Sequence, residues 1–592
     1  VLSTLNRVIA SSELNITPLN SVVLTLRGGV DHYGERREYF FPIGTANADY
    51  SSGRFDEDNI SRTEVNFDAI GKVNFKLSNS IGVDITAGWN FNDSQRFFNS
   101  TSLIGFQADV DLASSQLNTA NENTSFRTRR RFERSNRAYA VFSFDINDQL
   151  YINFSNTLEA ASTLKGSFYY PSIDAAWQFS DIIPTKSNGL SFGKLRASWG
   201  QVGVDAAAHR FQTLAEGGFS YSSFSDPLDV SLFGGGFRVD DDKGNSNLRP
   251  EVKTEYEIGA DLRFFENRLS LSATYYQNEI KDLLYEINTA ASTGFLSEYR
   301  NIGTMQNRGF EAELSYNFIK NKNWSLEVYG NYSRNQNEVT NLFGASSIAL
   351  TGGAISSRAV EGQALGVLWG TRALRDETGD FLLDENGFPQ LNSQQGVIGD
   401  PNPDWRAGGG LRANWKNLSL NILFDHSQGG DFAERTRFVL YRFGTHEDVG
   451  KDVTLTQNVK NSNGDISYIG ETVRGNLADF GAGTVLLDES WYSTLGGGFL
   501  SSVINEFSVA DATWTRLREV TLSYTLKGAK FKEKTKLSSI TLGVTGRNLF
   551  LWTNLVGVDP EVNQFGVGNG FGIDYFTNPT TRSFLVNLSI NY

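Results

Sequence analysis

The sequence predicts an all-β protein, a transmembrane antiparallel β-barrel, and three observations support this prediction. Apolar and polar residues alternate with a period of two along the whole chain of 592 residues. The alternating segments are longer than the five or six residues of a typical soluble strand and approach the roughly 9–11 residues of a membrane-crossing strand. Short polar turns also alternate with long connections, which is typical of bacterial outer-membrane barrels.

The composition excludes several other classes of protein. Aromatic residues make up 13% of the chain, which argues against intrinsic disorder. The chain has no cysteine and four scattered histidines (His32, His209, His426 and His446), so we expect neither a disulfide scaffold nor a zinc cluster. Its net charge of −14 disfavours nucleic-acid binding. No stretch of the sequence reaches the roughly 18 apolar residues of a membrane helix.

The first clear hairpin begins at Val65. One parity of Val65–Leu77 carries apolar residues and glycine, and the other carries Asn, Asp and Lys, with Ile70 as the one exception. Successive side chains of a strand point to opposite faces, so this strand has one apolar and one polar face. After Ser78–Ser80 the same pattern resumes at Ile81.

The same unit returns further along the chain. It recurs on both sides of polar turns at Asn147–Gln149 and Glu266–Arg268. A soluble β-sandwich or propeller is the alternative, and it predicts shorter strands with turn signals on both sides.

Long connections alternate with these short turns. We therefore predict one domain over residues 1–592, a partial outer-membrane barrel with extracellular loops at about 93–134, 205–250, 284–301, 335–361, 372–403, 432–490 and 554–581.

The final strand also fits a barrel. Alternate residues form an apolar stripe that ends in an aromatic residue at the C-terminus, namely Phe584, Val586, Leu588, Ile590 and Tyr592. This pattern resembles the signal that the outer-membrane insertion machinery reads, so we assign these five residues as an assembly signal.

Several motifs occur in a fixed order along most of the chain. They are Phe168–Trp177, Gly193–Gly203, Asn247–Glu251, Asn301–Glu311, Gly362–Gly370, Gly429–Asp431, Arg516–Tyr524, Gly546–Leu549 and Val558–Glu561. The most characteristic residues among them are Asn301, Gly303, Asn307, Gly309, Glu311, Asn548, Asp559, Pro560 and Glu561. In order and content, these motifs resemble the C-terminal barrel of the SusC/RagA-like TonB-dependent transporters of Bacteroidota.

The resemblance implies most of a barrel of about 22 strands. We expect the plug and the first strands to lie outside this sequence, with the strand Ser583–Tyr592 pairing with an early strand there. A self-closed porin of about 16 strands is the alternative. The sequence departs from the family pattern at Leu158–Thr163 and Arg375–Gly399, so substrate contacts in those segments are not carried over.

The function that the resemblance implies is energised import across the outer membrane of a Gram-negative bacterium. A SusD-like surface lipoprotein would act as a lid, and TonB–ExbB–ExbD would act through the N-terminal part. Typical substrates in such a family are oligosaccharides, and some members take oligopeptides. We expect no enzymatic activity and no nucleic-acid partner. A passive porin and an outer-membrane adhesin or structural barrel remain alternatives.

Aromatic residues in the predicted loops are candidates for contact with a ligand or partner. They are Trp369, Trp405, Trp491, Tyr492, Phe565, Phe571 and Tyr575. Exposed rings stack on sugars or pack against a partner protein. Packing within the loops, or within the aromatic girdles at the membrane interfaces, is the alternative for each residue.

Three further patterns suggest chemistry. Gly189–Gly193 fits a G-x-S-x-G nucleophile elbow, but a strand rather than a helix is predicted after it. The acidic segment Asp376–Gly387 suggests calcium, although its spacing departs from that of an EF-hand and a solvated loop is favoured. We predict no cofactor. An arginine cluster suggests contact with lipopolysaccharide phosphates or pairing with carboxylates inside the lumen, and it comprises Arg127, Arg129, Arg130, Arg131, Arg134 and Arg137.

Overall fold

The computed structural model describes residues 1–592 except 48–49, 107–123, 183–188, 218–236, 498–502, 567 and 569. Within the described residues, 17 long strands belong to the large antiparallel sheet. They are β1 (Leu2–Leu19), β2 (Val22–Ile43), β3 (Ser52–Ser78), β4 (Ile81–Ile104), β5 (Thr124–Ile146), β6 (Leu150–Ala161), β7 (Phe168–Trp177), β8 (Leu190–Val204), β9 (Glu251–Phe264), β10 (Leu269–Lys281), β11 (Thr304–Lys320), β12 (Trp324–Asn341), β13 (Trp405–Trp415), β14 (Leu418–Gln428), β15 (Trp514–Lys527), β16 (Ser539–Thr553) and β17 (Ser583–Asn591). The predicted all-β fold class is confirmed.

The chain divides into two compact units. The first unit comprises residues 1–177, 196–256 and 280–302, and the second comprises residues 178–195, 257–279 and 303–592. Each unit is described by itself below.

In the first unit, strands β1 to β7 pair antiparallel, each with the next strand along the chain. Short turns connect several of these strands, and the turn between β5 and β6 shows why. Asn147 and Asp148 adopt positive φ angles of 58° and 54°. Two such residues in succession give the turn the twist that a tight hairpin needs, and Asn and Asp tolerate this conformation well.

The strands of the first unit extend beyond the predicted boundaries. The predicted loop 93–134 is wrong in part, because β4 continues to Ile104 and β5 begins at Thr124. Beyond Asp93 both arms carry polar residues on both faces, so the period of two fades. The backbone ladder nevertheless continues, for example between Arg96 and Arg131.

The strand β1 was also absent from the prediction. Its 18 residues are exposed on both faces, and they pair with β2 from Leu2↔Glu38 to Leu19↔Val22.

In the second unit, strands β11 to β17 form an antiparallel series in chain order. At one end the connections are short, at 321–323, 416–417 and 528–538, and the last of these contains helix α4 (Ala529–Thr535). At the other end they are long, at 342–404, 429–513 and 554–582. The asymmetry that the sequence indicated is therefore present in this unit.

The two faces of this series differ in polarity. On one face, large apolar side chains are exposed, with Leu522 at 49%, Val544 at 49% and Val586 at 72%. On the other face, polar side chains form hydrogen bonds with each other, as between Thr521 Oγ1 and Thr545 Oγ1, which are 2.9 Å apart. An apolar face that is left uncovered along paired strands is typical of a sheet that faces lipid.

The long connections of the second unit contain its buried apolar clusters. One cluster includes Phe388, Phe438, Tyr441 and Trp491, and another includes Ile355, Leu368, Ala433 and Ile573. These connections also contain three short helices, α1 (Arg435–Arg442), α2 (Glu447–Gly450) and α3 (Glu489–Tyr492). In the described part of the chain, no helix has the length and apolar character needed to cross a membrane.

Short strands pair within the long connections of both units. In the first unit they are Ala215–Gly217, Phe237–Val239, Asp242–Lys243, Leu284–Asn288 and Ser297–Asn301. In the second unit they are Ser347–Ala349, Ser356–Val360, Val367–Gly370, Gly396–Gly399, Asp431–Glu434, Asp452–Thr454, Val459–Lys460, Ile466–Ser467, Thr472–Arg474, Asn476–Asp479, Thr484–Leu487, Val509–Asp511 and Ile573–Asp574.

Candidate functional site

Three of the sequence motifs meet at the long-loop end of the second unit. Arg516 and Arg518 lie on β15, Asn548 lies on β16, and Asp559 and Glu561 lie in the connection that follows β16. The register of β15 shifts near Arg518 against both neighbouring strands. A β-bulge of this kind re-aims a side chain and is frequent next to functional sites.

Arg516 holds the connection 554–582 through a buried ion pair. Its side chain is 3% exposed and lies 2.6 Å from Asp559 Oδ1 and 2.8 Å from Glu561 Oε2. A further N–H of Arg516 donates to Thr580 Oγ1 at 2.8 Å. A buried guanidinium needs such partners, because removing a charge from water is costly unless it is paired.

The electrostatics of Asp559 follow from these contacts. Burial by itself raises the pKa of this carboxyl group. The hydrogen bonds from Thr580 and from the backbone N–H of Glu561, together with the charge of Arg516, outweigh burial and hold the pKa below its usual value. Asp559 is therefore a stable carboxylate that organises its loop.

Arg518 links two strands to the same loop. Its guanidinium lies 2.6 Å from Asp425 Oδ2 on β14 and 2.7 Å from Glu561 Oε1. A third contact joins Arg518 Nη1 to Asn548 Oδ1 at 3.0 Å. Glu561 thus accepts hydrogen bonds from Arg518 and lies within ion-pair distance of Arg516, so one carboxylate ties β15 to the connection.

A cavity of about 460 Å³ opens beside Arg518. Its walls combine charged groups with aromatic rings, and they include Arg406, Asp425, His426, Trp514, Glu561 and Phe571. The ring of His426 packs 4.8 Å from that of Trp405, and His426 Nδ1 lies 2.8 Å from Thr515 Oγ1. Rings and fixed charges on one wall suit a ligand that has both apolar surfaces and polar groups.

The predicted loop aromatics separate into different roles. Phe571 lines the cavity, and Trp405 supports its wall by packing against His426 and against Tyr332, 5.8 Å away. The guanidinium of Arg358 lies 5.0 Å above the ring of Trp369, and that of Arg435 lies 4.8 Å above Tyr575. Phe565 packs against the cluster around Ile355.

Trp491 and Tyr492 belong to the interior of the loops. They are 4% and 5% exposed, and the ring of Trp491 lies 5.2 Å from that of Phe388. The loop-packing alternative therefore describes these two residues, because buried rings do not present a face to a ligand.

The motif Asn301–Glu311 has structural roles in both units. In the first unit, the side-chain amide of Asn301 donates to the carbonyl groups of Arg249 and Asp282. In the second unit, Asn307 donates to Asn278, and Tyr276 packs where a Cβ atom on Gly309 would lie. Gly303 has a φ of 113°, which favours glycine. Glu311 pairs with Ser333 in the ladder between β11 and β12.

The remaining patterns have local structural roles in the described residues. Gly189–Gly193 runs into the strand β8, so the strand–turn–helix geometry of a nucleophile elbow is absent there. Asp376 and Asp384 use their carboxylates to accept backbone N–H groups of their own turns. Among the described residues, no group of three His, Asp or Glu side chains is placed to hold a metal ion.

The arginine cluster lies on β5 in the first unit. Arg134 pairs with Asp93 at 2.9 Å and Arg137 pairs with Glu159 at 2.7 Å. The guanidinium of Arg130 lies 5.6 Å from the ring of Phe97. Arg131 lies 3.8 Å from Glu133, so pairing with carboxylates accounts for three members of the cluster.

Several residues of the site were not predicted as site residues. Asp425, His426 and Trp514 come from strands, whereas the prediction considered loop aromatics alone. Arg516 and Arg518 were recognised as part of a motif without a role. The one signal in the sequence was that these two arginines, spaced by two, share one face at the end of a predicted strand.

Comparison with known proteins agrees with this architecture. A family model described as TonB dependent receptor-like, beta-barrel, matches residues 5–549. TonB-dependent receptor P3 of Formosa agariphila is 26% identical over 495 residues, which cover 78% of this chain and 45% of that protein. TonB-dependent receptor SusC of Bacteroides thetaiotaomicron is 22% identical over 444 residues, which cover 72% of this chain and 40% of that protein.

A solved structure shows the same fold. The RagAB peptide transporter superposes with a TM-score of 0.76 at 19% identity, over 100% of this chain and 62% of that chain. The present chain spans somewhat less than half the length of the curated relatives that it matches. The predicted SusC/RagA resemblance is confirmed, and the chain belongs to the TonB-dependent receptor-like β-barrel family.

Proposed function

We propose that this chain forms most of the wall of an outer-membrane transporter that imports oligosaccharides or oligopeptides. The observation that carries the proposal is the cavity beside Arg518, which lies at the long-loop end of a sheet with an exposed apolar face. The family match over residues 5–549 supports the same reading.

The geometry suggests how the wall would serve a ligand. Arg406 and Arg518 would meet carboxylate or hydroxyl groups, and Asp425 and Glu561 would meet amines or hydroxyl groups. Trp514 and Phe571 would stack on sugar rings or on apolar side chains. The RagAB complex is described as a peptide transporter, which makes peptides a natural first class of ligand to test.

The energised step belongs to the proposal as well. A SusD-like lipoprotein would cover the long loops, and TonB would supply work from the inner-membrane proton gradient. A tightly held ligand needs such work, because each tenfold gain in affinity adds about 1.4 kcal/mol to the cost of release. We propose no covalent chemistry and no bound metal.

Uptake by cells that carry the natural full-length protein tests this proposal. Labelled oligopeptides and oligosaccharides are supplied with and without an uncoupler of the proton gradient. We expect one class to accumulate and the uncoupler to abolish accumulation. Uptake that continues unchanged with the uncoupler would instead identify a passive pore, and no uptake with firm surface attachment would identify an adhesin.

Substitutions at the cavity test the role of Arg518 in binding. Arg518→Gln removes the charge between Asp425 and Glu561, and we expect affinity for the ligand to fall about tenfold or more, since a charged hydrogen bond contributes about 1.5–3 kcal/mol. Arg412→Gln is the matched control, because Arg412 pairs with Glu327 and is absent from the cavity lining. Equal losses in both variants would contradict the site.

A further inference from the structure

Lysine residues concentrate at three adjacent short turns of the second unit. The connections β11–β12, β13–β14 and β15–β16, with the strand ends that flank them, carry 8 of the 18 lysines of the chain. We call these the lysine turns, and their lysines are Lys320, Lys322, Lys416, Lys527, Lys530, Lys532, Lys534 and Lys536. Glu533 is the one acidic residue among them.

The lysine turns are contiguous. The backbone N–H of Lys416 donates to the carbonyl of Asn323 at 2.8 Å, and that of Thr525 donates to the carbonyl of Asn417 at 2.9 Å. Paired strands lie about 4.8 Å apart, so successive hairpins are about 10 Å apart. The eight ammonium groups therefore border one edge of the second unit over about 20 Å.

The charges of this edge are available to a partner. All eight lysines are exposed. Within the described residues these eight lysines form no ion pair, whereas lysines elsewhere do, among them Lys72, Lys194, Lys243, Lys253 and Lys451. The basic edge is a local exception in a chain with a net charge of −14, and its exposed ammonium groups are complementary to an anionic partner.

Aromatic residues lie immediately inside this edge. Trp324 and Trp415 stack at 5.6 Å on the apolar face and are 48% and 46% exposed. The ammonium of Lys416 lies 5.6 Å from the ring of Trp415. Trp and Tyr accumulate where hydrocarbon meets lipid headgroups, so lysines one step further out lie at the level of the phosphates.

The hairpin turns of the first unit provide an internal contrast. The turns at 20–21, 79–80 and 147–149 contain no lysine. The enrichment is therefore not a general property of the short connections.

We propose that the lysine turns bind the anionic phospholipid headgroups of the leaflet that faces the short-turn side. The proposal depends on the membrane location given under Proposed function. The aromatic residues favour lipid over the carboxylates of peptidoglycan, because a stacked Trp pair at the apolar boundary places the neighbouring lysines among headgroups. Each lysine near an anionic surface strengthens binding about fivefold at low salt.

Lipid retention by the natural full-length protein tests the proposal. The protein is reconstituted in nanodiscs of phosphatidylethanolamine with a minor fraction of phosphatidylglycerol, and the lipids that remain bound are counted by native mass spectrometry. We expect phosphatidylglycerol to be enriched over its bulk fraction and the enrichment to fall as NaCl is raised. No enrichment at low salt in the unmodified protein would overturn the proposal without any variant.

A triple variant tests whether the lysine turns cause the enrichment of phosphatidylglycerol. In Lys530→Gln/Lys532→Gln/Lys534→Gln we expect the enrichment to fall at least tenfold. The control variant Lys165→Gln/Lys451→Gln/Lys460→Gln removes three lysines from other connections and is expected to behave as the unmodified protein. Equal enrichment in the two variants contradicts the proposal.

Two further outcomes separate related ideas. In the first, the unmodified protein sediments with purified peptidoglycan, and the triple variant loses this sedimentation but keeps the lipid enrichment. That result would identify the cell wall as the partner and overturn the lipid assignment. Uptake is measured separately, so lipid enrichment in a protein that imports nothing would overturn the transport proposal alone.

Discussion

At the scale of single residues, the buried pair Arg516–Asp559 organises the candidate site. Both side chains are almost completely buried, and their closest atoms are 2.6 Å apart. Asp559 also accepts the backbone N–H groups of Glu561 and Thr580. This single charge pair thus ties β15 to the long connection 554–582.

Removing one partner of this pair should loosen the connection 554–582. In Arg516→Gln the Asp559 carboxylate stays buried without its cation, and we expect a loss of about 3–5 kcal/mol of local stability. Hydrogen exchange of residues 554–582 measures this loss. The control Arg547→Gln breaks a pair with Glu519 in which the arginine is 53% exposed, and it should cost at most about 1 kcal/mol. Equal exchange in the two variants would contradict the role of Arg516.

The burial of Asp205 predicts that the stability of the first unit depends on pH. Burial, with a further contribution from Glu159, raises the pKa of Asp205 from 3.8 to about 6, while Arg137 opposes the shift and Glu133 adds to it. Asp205 Oδ1 and the hydroxyl of Tyr170 are buried without a hydrogen-bond partner within the described residues.

Ionisation of Asp205 should lower the local stability. A folded state with a raised carboxyl pKa binds the proton more tightly than the unfolded chain, so local stability falls as pH rises from about 4 to about 6 and stays reduced above that. Asp205→Asn removes the ionised form, and hydrogen exchange around 159–170, corrected for intrinsic rates, should lose its dependence on pH. A variant that retains the dependence of the unmodified protein would show that another group is responsible.

At the scale of elements, the last strand completes the ladder of the second unit. β17 pairs with β16 from Arg547↔Ser583 to Ser539↔Asn591. Its apolar stripe continues the exposed apolar face, and Phe584 is 72% exposed. In a bilayer an unpaired strand edge costs several kcal/mol per backbone group.

Deleting Phe584–Tyr592 should therefore abolish assembly in the outer membrane. The deletion uncovers β16 and removes the C-terminal aromatic stripe. Heat-modifiable mobility in membrane fractions reports assembly, and we expect the truncated chain to lose it. Substituting Asn587 with serine on the opposite face is the control and should leave mobility unchanged. A truncated chain that assembles normally would contradict the importance of this strand.

The elements that sequence patterns predicted well are those with two different faces. The hairpin around Ser78–Ser80 has its apolar and polar parities as expected, because a sheet with one apolar and one polar face imposes a period of two. The extensions of β4 and β5 beyond Asp93 could not be predicted, because the alternation of apolar and polar residues fades there while the backbone hydrogen bonds continue.

The site was harder to predict than the fold. Trp491 and Trp405 are chemically identical loop candidates in the sequence, yet one is buried among Phe388 and Tyr441 and the other supports the cavity wall. Cavity residues such as Asp425 and Glu561 lie far apart in sequence and meet only through strand pairing and loop folding. Local sequence patterns do not predict contacts between residues that are far apart in the chain.

At the scale of the whole molecule, the family and the exposed apolar face lead to the same conclusion. The match over residues 5–549 places the chain among receptor barrels, and the face that includes Leu522, Val544 and Val586 is apolar and uncovered. We propose that this face contacts lipid and that the opposite face of the same strands contacts water.

Spin labels along β15 test this claim most directly. The chain contains no cysteine, so single substitutions at Leu522, Ser523, Tyr524 and Thr525 each introduce the chain's one reactive thiol. In bilayers, labels at Leu522 and Tyr524 should be accessible to oxygen dissolved in lipid, and labels at Ser523 and Thr525 to a water-soluble nickel chelate. Protection of Leu522 and Tyr524 from both reagents would place them in a dry protein interior and would contradict the account.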